Sequence, residues 1–454
     1  MTGGDYKGLE YRGLSNELLV GILKFASIGV YDEFQELVDT SKWLLDVALC
    51  SRRMHNLTEP ILYTQFKESG NRLPKFLARI LIRPDLARCV RIYHGIAISM
   101  GSMNIEEFLN VSDLAEDDWE RVRNAVHLAG SHADWYHVLA RGSWDAMTAL
   151  MFHLLPNVQE LEFSSWSYTN NEYPFICAAL DRPLLWKLWS VCIKFWDTEN
   201  GMKLDQLVPF LKIPSVSAFK GYMISDGAWE GEPMLSNIKN LSLNYSNLDT
   251  VSLKKFLMCF PRLEKLFYRN GGAYVGYSEF DAPAAMEALK HLKPCLKELH
   301  ILQDDTDNMW ECQIFGIGSF SDFRKLKFLD ISTSILLDGE GLRLIDCLPA
   351  SLEYLSLREV EARHVEQIFE LVSQKSLTLD LQWEGIVYPD KPSSLGPILH
   401  PGFTTAEAEK LQSLAEILIK RLPPNPRYAQ YRIGRAVQPW EVSYSQEKWP
   451  YGRP

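Results

Sequence analysis

The sequence has no long apolar run that would suit a membrane or a secretion signal. Its most apolar stretches, such as residues 44–50, are far shorter than the roughly 20 residues that a transmembrane helix needs. The first dozen residues also have no apolar core of the kind found in signal peptides. These features predict a protein of the cytoplasm or nucleus, or of both, that does not bind membranes.

Closely spaced cysteines and an excess of basic residues are missing as well. None of the eight cysteines forms a Cys-x-x-Cys pair, which favours reduced thiols over a disulfide framework or a zinc site. The formal net charge is -11, and nucleic-acid-binding proteins instead carry clustered positive charge. We therefore expect no nucleic-acid partner.

Catalytic signatures are also lacking. The chain has neither a G-x-S-x-G nucleophile motif nor a G-x-x-x-x-G-K-[ST] phosphate-binding loop. His127, His132 and His137 are five residues apart, so they turn away from a common helix face and make a poor metal site. We expect no enzymatic activity, no cofactor and no bound metal.

The most prominent feature that is present is a recurring apolar-x-x-apolar-x-apolar motif. From residue 158 onward, successive copies start 22 to 33 residues apart, which is close to the leucine-rich-repeat period. Weaker copies occupy residues 185–190 and 216–221, and degenerate ones residues 86–92 and 377–381. The six clear copies occupy residues 158–163, 238–243, 263–268, 296–301, 326–331 and 352–357.

This motif predicts an irregular solenoid of the α/β class over residues 86–386, with parallel strands inside and helices outside. Alternate residues of a strand point the same way, so each copy has one apolar face that only a stacked neighbour can bury. Apolar residues at helical spacing lie between copies and stop before Pro261, Pro294 and Pro349. A helical insert is expected at about residues 100–155. The alternative is a conventional α/β domain, which does not require a fixed motif.

Residues 14–66 predict a separate three-helix unit. Leu18, Leu19, Ile22 and Leu23 recur at helical spacing, and a second apolar helix spans residues 44–50. Such a stripe is commonly the core of a small domain. A unit of this size buries little surface by itself, however, so the stripe is also consistent with a docking surface for another protein.

Two phrases in this unit resemble the F-box, and in particular the divergent F-box of filamentous-fungal proteins. They are Leu14-Ser15-Asn16-Glu17-Leu18-Leu19, and Leu44-Leu45-Asp46-Val47-Ala48-Leu49-Cys50-Ser51-Arg52-Arg53. The resemblance implies a substrate-recognition subunit of a Skp–cullin–F-box ubiquitin ligase, which reaches the cullin through a Skp-type adaptor. It assigns adaptor binding to Leu14, Leu18, Leu19, Ile22, Leu23, Leu45, Leu49 and Cys50.

The chain departs from the family pattern at two places. The usual Leu-Pro pair is Leu14-Ser15 here, so the proline that fixes the turn before the first helix is missing. An insertion of residues 26–42 separates the two phrases. Both departures predict weaker adaptor binding than in the family.

A protein substrate is expected to bind the repeats, because solenoids use their concave faces and aromatic side chains are frequent in interfaces. The candidate contacts are Trp166, Trp189, Phe267, His300 and Trp310. Alternatively, any of these tryptophans fills space between irregular repeats. Residues 1–13 predict a flexible lead, and residues 387–454 a capping helix followed by a tail rich in proline and aromatic residues.

Two functions are consistent with this sequence. The leading hypothesis is the ligase subunit, with the adaptor on residues 14–66 and the substrate on the repeats. The alternative is a leucine-rich-repeat scaffold that assembles proteins and has no ligase role.

Overall fold

The structure is a computed structural model, and its described part covers most of the chain before residue 384. The predicted lead, Trp166, Trp310 and the predicted capping helix and tail lie outside it. The described residues are 14–27, 40–68, 72–96, 114–130, 134–165, 173–195, 201–225, 235–271, 280–303, 316–337, 342–360, 364–374 and 377–383.

Fifteen α-helices lie within these ranges. In chain order they are α1 (Asn16–Ser27), α2 (Thr40–Leu49), α3 (Arg52–Leu62), α4 (Arg72–Ile82), α5 (Pro84–Ala87), α6 (Glu116–Leu128), α7 (Trp135–Ala140), α8 (Trp144–Leu154), α9 (Pro174–Leu180), α10 (Val208–Leu211), α11 (Thr250–Met258), α12 (Ala282–Leu289), α13 (Thr333–Leu337), α14 (Leu344–Cys347) and α15 (Val365–Gln374). Short 3₁₀ segments precede α10 and follow α12.

Thirteen strands alternate with most of these helices. They are β1 (Gln65–Lys67), β2 (Ile92–Ile96), β3 (Glu160–Ser165), β4 (Ser190–Phe195), β5 (Met202–Lys203), β6 (Ala218–Tyr222), β7 (Ile224–Ser225), β8 (Asn240–Ser246), β9 (Lys265–Asn270), β10 (Glu298–Gln303), β11 (Phe328–Ser332), β12 (Tyr354–Val360) and β13 (Thr378–Trp383).

Eleven of the strands form one large parallel sheet. Their spatial order is β1-β2-β3-β4-β6-β8-β9-β10-β11-β12-β13. Each strand of this sheet therefore pairs with the strand of the same sheet that follows it in the chain. Strands β5 and β7 form a separate parallel pair. The predicted mixed α/β class, with parallel strands and intervening helices, is confirmed.

One face of the large sheet is the core of the protein. The central apolar position of the motif is in register across the sheet, as in the pairs Leu299–Leu329 and Leu329–Leu355, and its residues are buried from β1 to β12. Helix residues such as Phe256 of α11 and Leu289 of α12 belong to the same apolar cluster. The helices therefore pack against this inner face.

Local sequence signals determine where several helices begin and end. The Asp249 carboxylate accepts a hydrogen bond from the Ser252 N–H at 2.7 Å and thereby caps the N-terminus of α11. Asp281 caps α12 in the same way. The helical segments that precede Pro261, Pro294 and Pro349 end two or three residues before these prolines, as the sequence predicts.

The structure corrects the motif register at two degenerate copies. Leu86 lies in the short helix α5, and the first two buried motif positions are instead Val90, just before β2, and Tyr93, within it. Leu188, just before β4, and Val191, within it, occupy the buried positions that the sequence assigned to Leu185 and Leu188. In both regions an additional leucine at a similar spacing made the choice ambiguous.

The sheet also starts earlier than predicted. Residues 65 and 66, assigned from sequence to the helical unit, form β1 together with Lys67, and β1 pairs in parallel with β2. Phe66 points into the core, and its ring stacks on Phe76 of α4 with ring centroids 3.9 Å apart. The boundary between the helical unit and the sheet therefore falls before residue 65.

Candidate functional site

Helices α1, α2 and α3 pack around a core of their own. Leu23, Leu44 and Ile61, one from each helix, are its buried residues. A core of three buried side chains is small, which leaves other apolar residues of the unit at the surface.

Several large apolar side chains of α1 and α2 are exposed. Leu18 and Ile22, one helical turn apart on α1, are 53% and 49% exposed. On α2, Leu45 and Leu49 have the same spacing, and Leu49 is 83% exposed. Two further exposed residues, Phe25 and Trp43, were not among the sequence candidates. We call Leu14, Leu18, Ile22, Leu45 and Leu49 the apolar patch.

Two predicted adaptor contacts differ from the others in their environment. Leu23 is only 3% exposed because it is part of the small core, so its assignment as a surface contact is wrong. Leu19 is half-buried. Cys50, immediately after α2, is exposed. Helical spacing alone does not distinguish Leu23 from Ile22, since the two are adjacent on the same side of α1.

The segment before α1 is attached to α3. The Arg53 guanidinium donates a hydrogen bond from Nη2 to the Leu14 carbonyl at 2.6 Å and another from Nε to Asn16 Oδ1 at 2.9 Å. Ser15 Oγ accepts a hydrogen bond from the Leu18 N–H at 3.3 Å. These bonds place Leu14 at the same end of the unit as the α2–α3 junction, where Leu49 and Cys50 are exposed.

An ion-pair network connects α3 to α4. Glu59 of α3 lies 3.1 Å from Arg79 and 3.2 Å from Arg83, and its side chain is largely buried. Strand β1 follows α3 almost directly. The helical unit is thus connected to the sheet both through the chain and through charged side chains.

The outer face of the sheet, opposite the helices, has a continuous row of mostly polar residues. Strand pairing places one residue from each of the eleven strands in this row. In spatial order they are Lys67, His94, Glu162, Cys192, Lys220, Ser242, Phe267, His300, Asp330, Ser356 and Asp380.

Three charged or polar groups meet near the first strands, and we call them the His94 cluster. Glu162 lies 2.7 Å from Lys194 Nζ and 3.5 Å from His94 Nδ1. Burial alone would raise the pKa of Glu162, but hydrogen bonds from His94 and Lys194 outweigh it and lower the pKa to about 2. Glu162 is therefore a stable anion at neutral pH.

A second group, the His300 cluster, lies on β10, β11 and β12. His300 contacts Asp330 through Nδ1 at 3.1 Å and Glu298 through Nε2 at 3.2 Å. Arg358 donates two hydrogen bonds to Asp330, from Nε at 2.9 Å and from Nη2 at 2.8 Å. Both ring nitrogens of His300 therefore face carboxylates.

The charge states of the His300 cluster follow from these contacts. Burial would lower the pKa of His300, but the hydrogen bonds with Asp330 and Glu298 outweigh it, and the pKa is raised above 6.5. Burial would likewise raise the pKa of Asp330, yet His300 and Arg358 lower it to about 2. The cluster is a paired ionic network, and its histidine has no ring nitrogen left to act as a general base.

Aromatic rings surround His300 on the outer face. The His300 ring lies 5.3 Å from the ring of Phe267 and 4.7 Å from that of Phe328. Phe328 in turn stacks on Tyr354 at 4.5 Å, with an interplanar angle of 4°. This half of the outer face therefore combines paired charges with stacked rings.

The predicted substrate contacts divide into three groups. Trp189 is half-exposed, beside the start of β4. Phe267 and His300 face outward, but both are buried because cross-strand neighbours pack around them, which corrects their assignment as exposed contacts. Trp166 and Trp310 lie outside the described residues. The half-buried Phe328 and Tyr354 also lie on the outer face, two positions before Asp330 and Ser356, and were not among the sequence candidates.

The same described ranges also bear on metal binding, membrane insertion and cysteine chemistry. They contain no group of three or more His, Cys, Asp and Glu side chains placed to bind a metal ion. No helix in them is long and apolar enough to cross a bilayer. Burial raises the pKa of the Cys192 thiol to about 12, so this outer-face cysteine is a poor nucleophile at neutral pH.

Comparisons with known proteins give no assignment. No family model matches this chain, and no curated protein matches it at a significant level.

Proposed function

We propose that this chain is a substrate-recognition subunit of a Skp–cullin–F-box ubiquitin ligase. In this proposal α1–α3 form the F-box, which binds a Skp-type adaptor and through it a cullin, and the outer face of the sheet binds a protein substrate. The observation that carries the proposal is the apolar patch, whose five residues are exposed at positions that the F-box resemblance assigns to adaptor contacts.

The exposure of these residues supports a partner on energetic grounds. Complete burial of a large aliphatic side chain is worth roughly 1.5–3 kcal/mol, and the patch residues still have about half or more of their surface to bury. Several such gains are needed to offset the loss of translational and rotational freedom on association. Exposed apolar residues that are concentrated in a small unit are also typical of interaction sites.

The arrangement of the strands supports the second half of the proposal. The strands are parallel, follow the chain order and repeat one motif, and the helices lie on one side. These are the properties of a leucine-rich-repeat solenoid, in which the opposite face is available for a ligand. The His94 and His300 clusters, with the rings of Phe328 and Tyr354, provide mixed polar and aromatic contacts of the kind that suit a protein substrate.

The alternative function, a leucine-rich-repeat scaffold without a ligase role, uses the same outer face but leaves the apolar patch without an adaptor. Adaptor binding therefore separates the two functions. Under the scaffold hypothesis, changes in the patch have no effect on any Skp-type protein.

The test is co-purification of the full chain with a recombinant Skp-type adaptor. The double variant Leu18→Asp/Ile22→Asp is expected to abolish retention of the adaptor, because two charges would have to enter an apolar interface. The matched control is Val251→Asp/Met258→Asp, which changes two comparably exposed apolar residues of α11. Failure of the unmodified chain to retain the adaptor, or equal retention by both double variants, rejects the proposal.

A further inference from the structure

Arg53 makes the contacts that fix the segment ahead of α1. Its two hydrogen bonds reach the Leu14 carbonyl and the Asn16 side chain, at 2.6 Å and 2.9 Å, across 39 and 37 residues of sequence. Both bonds are charge-assisted, which makes them stronger than neutral hydrogen bonds. The guanidinium thus contacts the backbone of Leu14, just before Ser15, and the side chain of Asn16, just after it.

The position of Arg53 within α3 is electrostatically unfavourable. It lies in the first turn of α3, where the positive end of the helix dipole repels cations. Arg52 lies in the same turn and is also exposed, but no hydrogen bond joins its side chain to another residue of the described ranges. Among the described residues, the contact with the Leu14 segment is thus particular to Arg53.

Leu14 is the residue that this contact controls. It precedes α1, so no hydrogen bond within the helix fixes its backbone, and its side chain is half-exposed at one end of the apolar patch. Ser15 caps α1 but does not restrict the backbone of Leu14 as a proline at that position would. The Arg53 fork holds the Leu14 carbonyl and thereby limits where the Leu14 side chain points.

We infer that Arg53 is a positioning residue for the docking surface: it holds Leu14 in the orientation in which the adaptor binds it, and so supplies the restraint that Ser15 does not. This inference rests on the proposed function, because it concerns the same surface and the same partner. Adaptor binding does not by itself require that Arg53 act through Leu14, so the positioning role can be tested separately from the proposed function.

The experiment measures the affinity of the full chain for a recombinant Skp-type adaptor by calorimetry. Arg53→Ala is expected to weaken binding by about tenfold, because Leu14 must then be ordered on binding. Arg52→Ala removes the same charge from the same turn and is expected to leave the affinity within twofold. Adding Ser15→Pro to Arg53→Ala is expected to recover most of the loss, because proline restricts residues 14 and 15 directly.

A double-mutant cycle separates positioning from general stabilisation of the unit. In a Leu14→Ala background, Arg53→Ala is expected to have almost no further effect on affinity, since the side chain it positions is gone. In the free chain, amide hydrogen exchange of residues 14–20 should be faster in Arg53→Ala than in Arg52→Ala.

The outcomes distinguish the two ideas. If the unmodified chain does not bind the adaptor, the proposed function fails and this inference falls with it. Two results would overturn only the positioning role in a chain that binds the adaptor. One is that Arg53→Ala and Arg52→Ala have the same affinity for the adaptor. The other is that Arg53→Ala weakens binding as much in the Leu14→Ala background as in the unmodified chain.

Discussion

Ile22 and Leu23 are neighbours on α1 whose side chains have different roles. Ile22 is half-exposed in the apolar patch, whereas Leu23 packs between Leu44 and Ile61. A sequence pattern groups them, because both fall on the broad apolar side of one helix. In the structure, Leu23 stabilises the core of the helical unit, whereas the Ile22 side chain is accessible at the surface.

This difference predicts opposite effects of truncation. Leu23→Ala is expected to destabilise the helical unit by about 2–5 kcal/mol, as for other buried leucines, whereas Ile22→Ala changes its stability by less than about 0.5 kcal/mol. Hydrogen exchange of α1–α3, measured by mass spectrometry, provides the local stability. Equal protection in the two variants would contradict the assignment of Leu23 to the core.

His300 predicts a dependence of stability on pH. Its folded-state pKa is raised above 6.5, so the folded chain keeps a proton that the unfolded chain has released. The resulting stabilisation is complete below pH 6.5 and is lost as the pH rises through the folded-state pKa. The free energy of unfolding in urea should therefore fall less steeply above pH 6.5 in His300→Gln than in the unmodified chain. Parallel pH profiles would show that folding does not raise the pKa of His300.

At the scale of elements, the strands were predictable where the motif was regular. From β8 to β12 each strand falls on a clear apolar-x-x-apolar-x-apolar copy, because inward residues at a period of two must be apolar in any buried sheet. The register failed at β2 and β4, and the three-residue strand β1 was missed. In those places pairing with a neighbouring strand, which no local pattern encodes, determines the register.

The same limit applies to the candidate site. Outward positions such as Phe267 and His300 lie on the outer face, but the burial of His300 depends on partners such as Phe328, about 30 residues away in sequence. The Arg53–Leu14 contact joins residues 39 positions apart, and nothing in their local sequence pairs them.

The cap of α11 provides a prediction at this scale. Asp249→Ala removes the acceptor for the Ser252 N–H and is expected to lower the free energy of unfolding by about 1 kcal/mol. Asp249→Ser is the control, since a serine hydroxyl also caps helices and should retain most of this stability. Chemical denaturation of the full chain measures both. Equal losses in the two variants would show that Asp249 acts through its charge and not as a cap.

At the scale of the whole molecule, β1 is the edge of the large sheet and covers β2. A chain without residues 1–63 keeps β1 and is expected to remain monomeric while losing adaptor binding. A chain without residues 1–67 exposes the unpaired backbone of β2 and is expected to self-associate, because open strand edges pair with one another. Size-exclusion chromatography with light scattering compares the two. Identical elution of both as monomers would show that β1 does not protect the edge.

The in-register row on the outer face also sets a length scale for whatever binds there. Glu162 on β3 and Asp330 on β11 are separated by six strand-to-strand steps, which at about 4.8 Å each amounts to roughly 29 Å along the sheet. A ligand that reaches from Glu162 to Asp330 must be at least this long. Metabolites are too short for such a distance, whereas a folded domain, or an extended peptide of about nine residues, can bridge it.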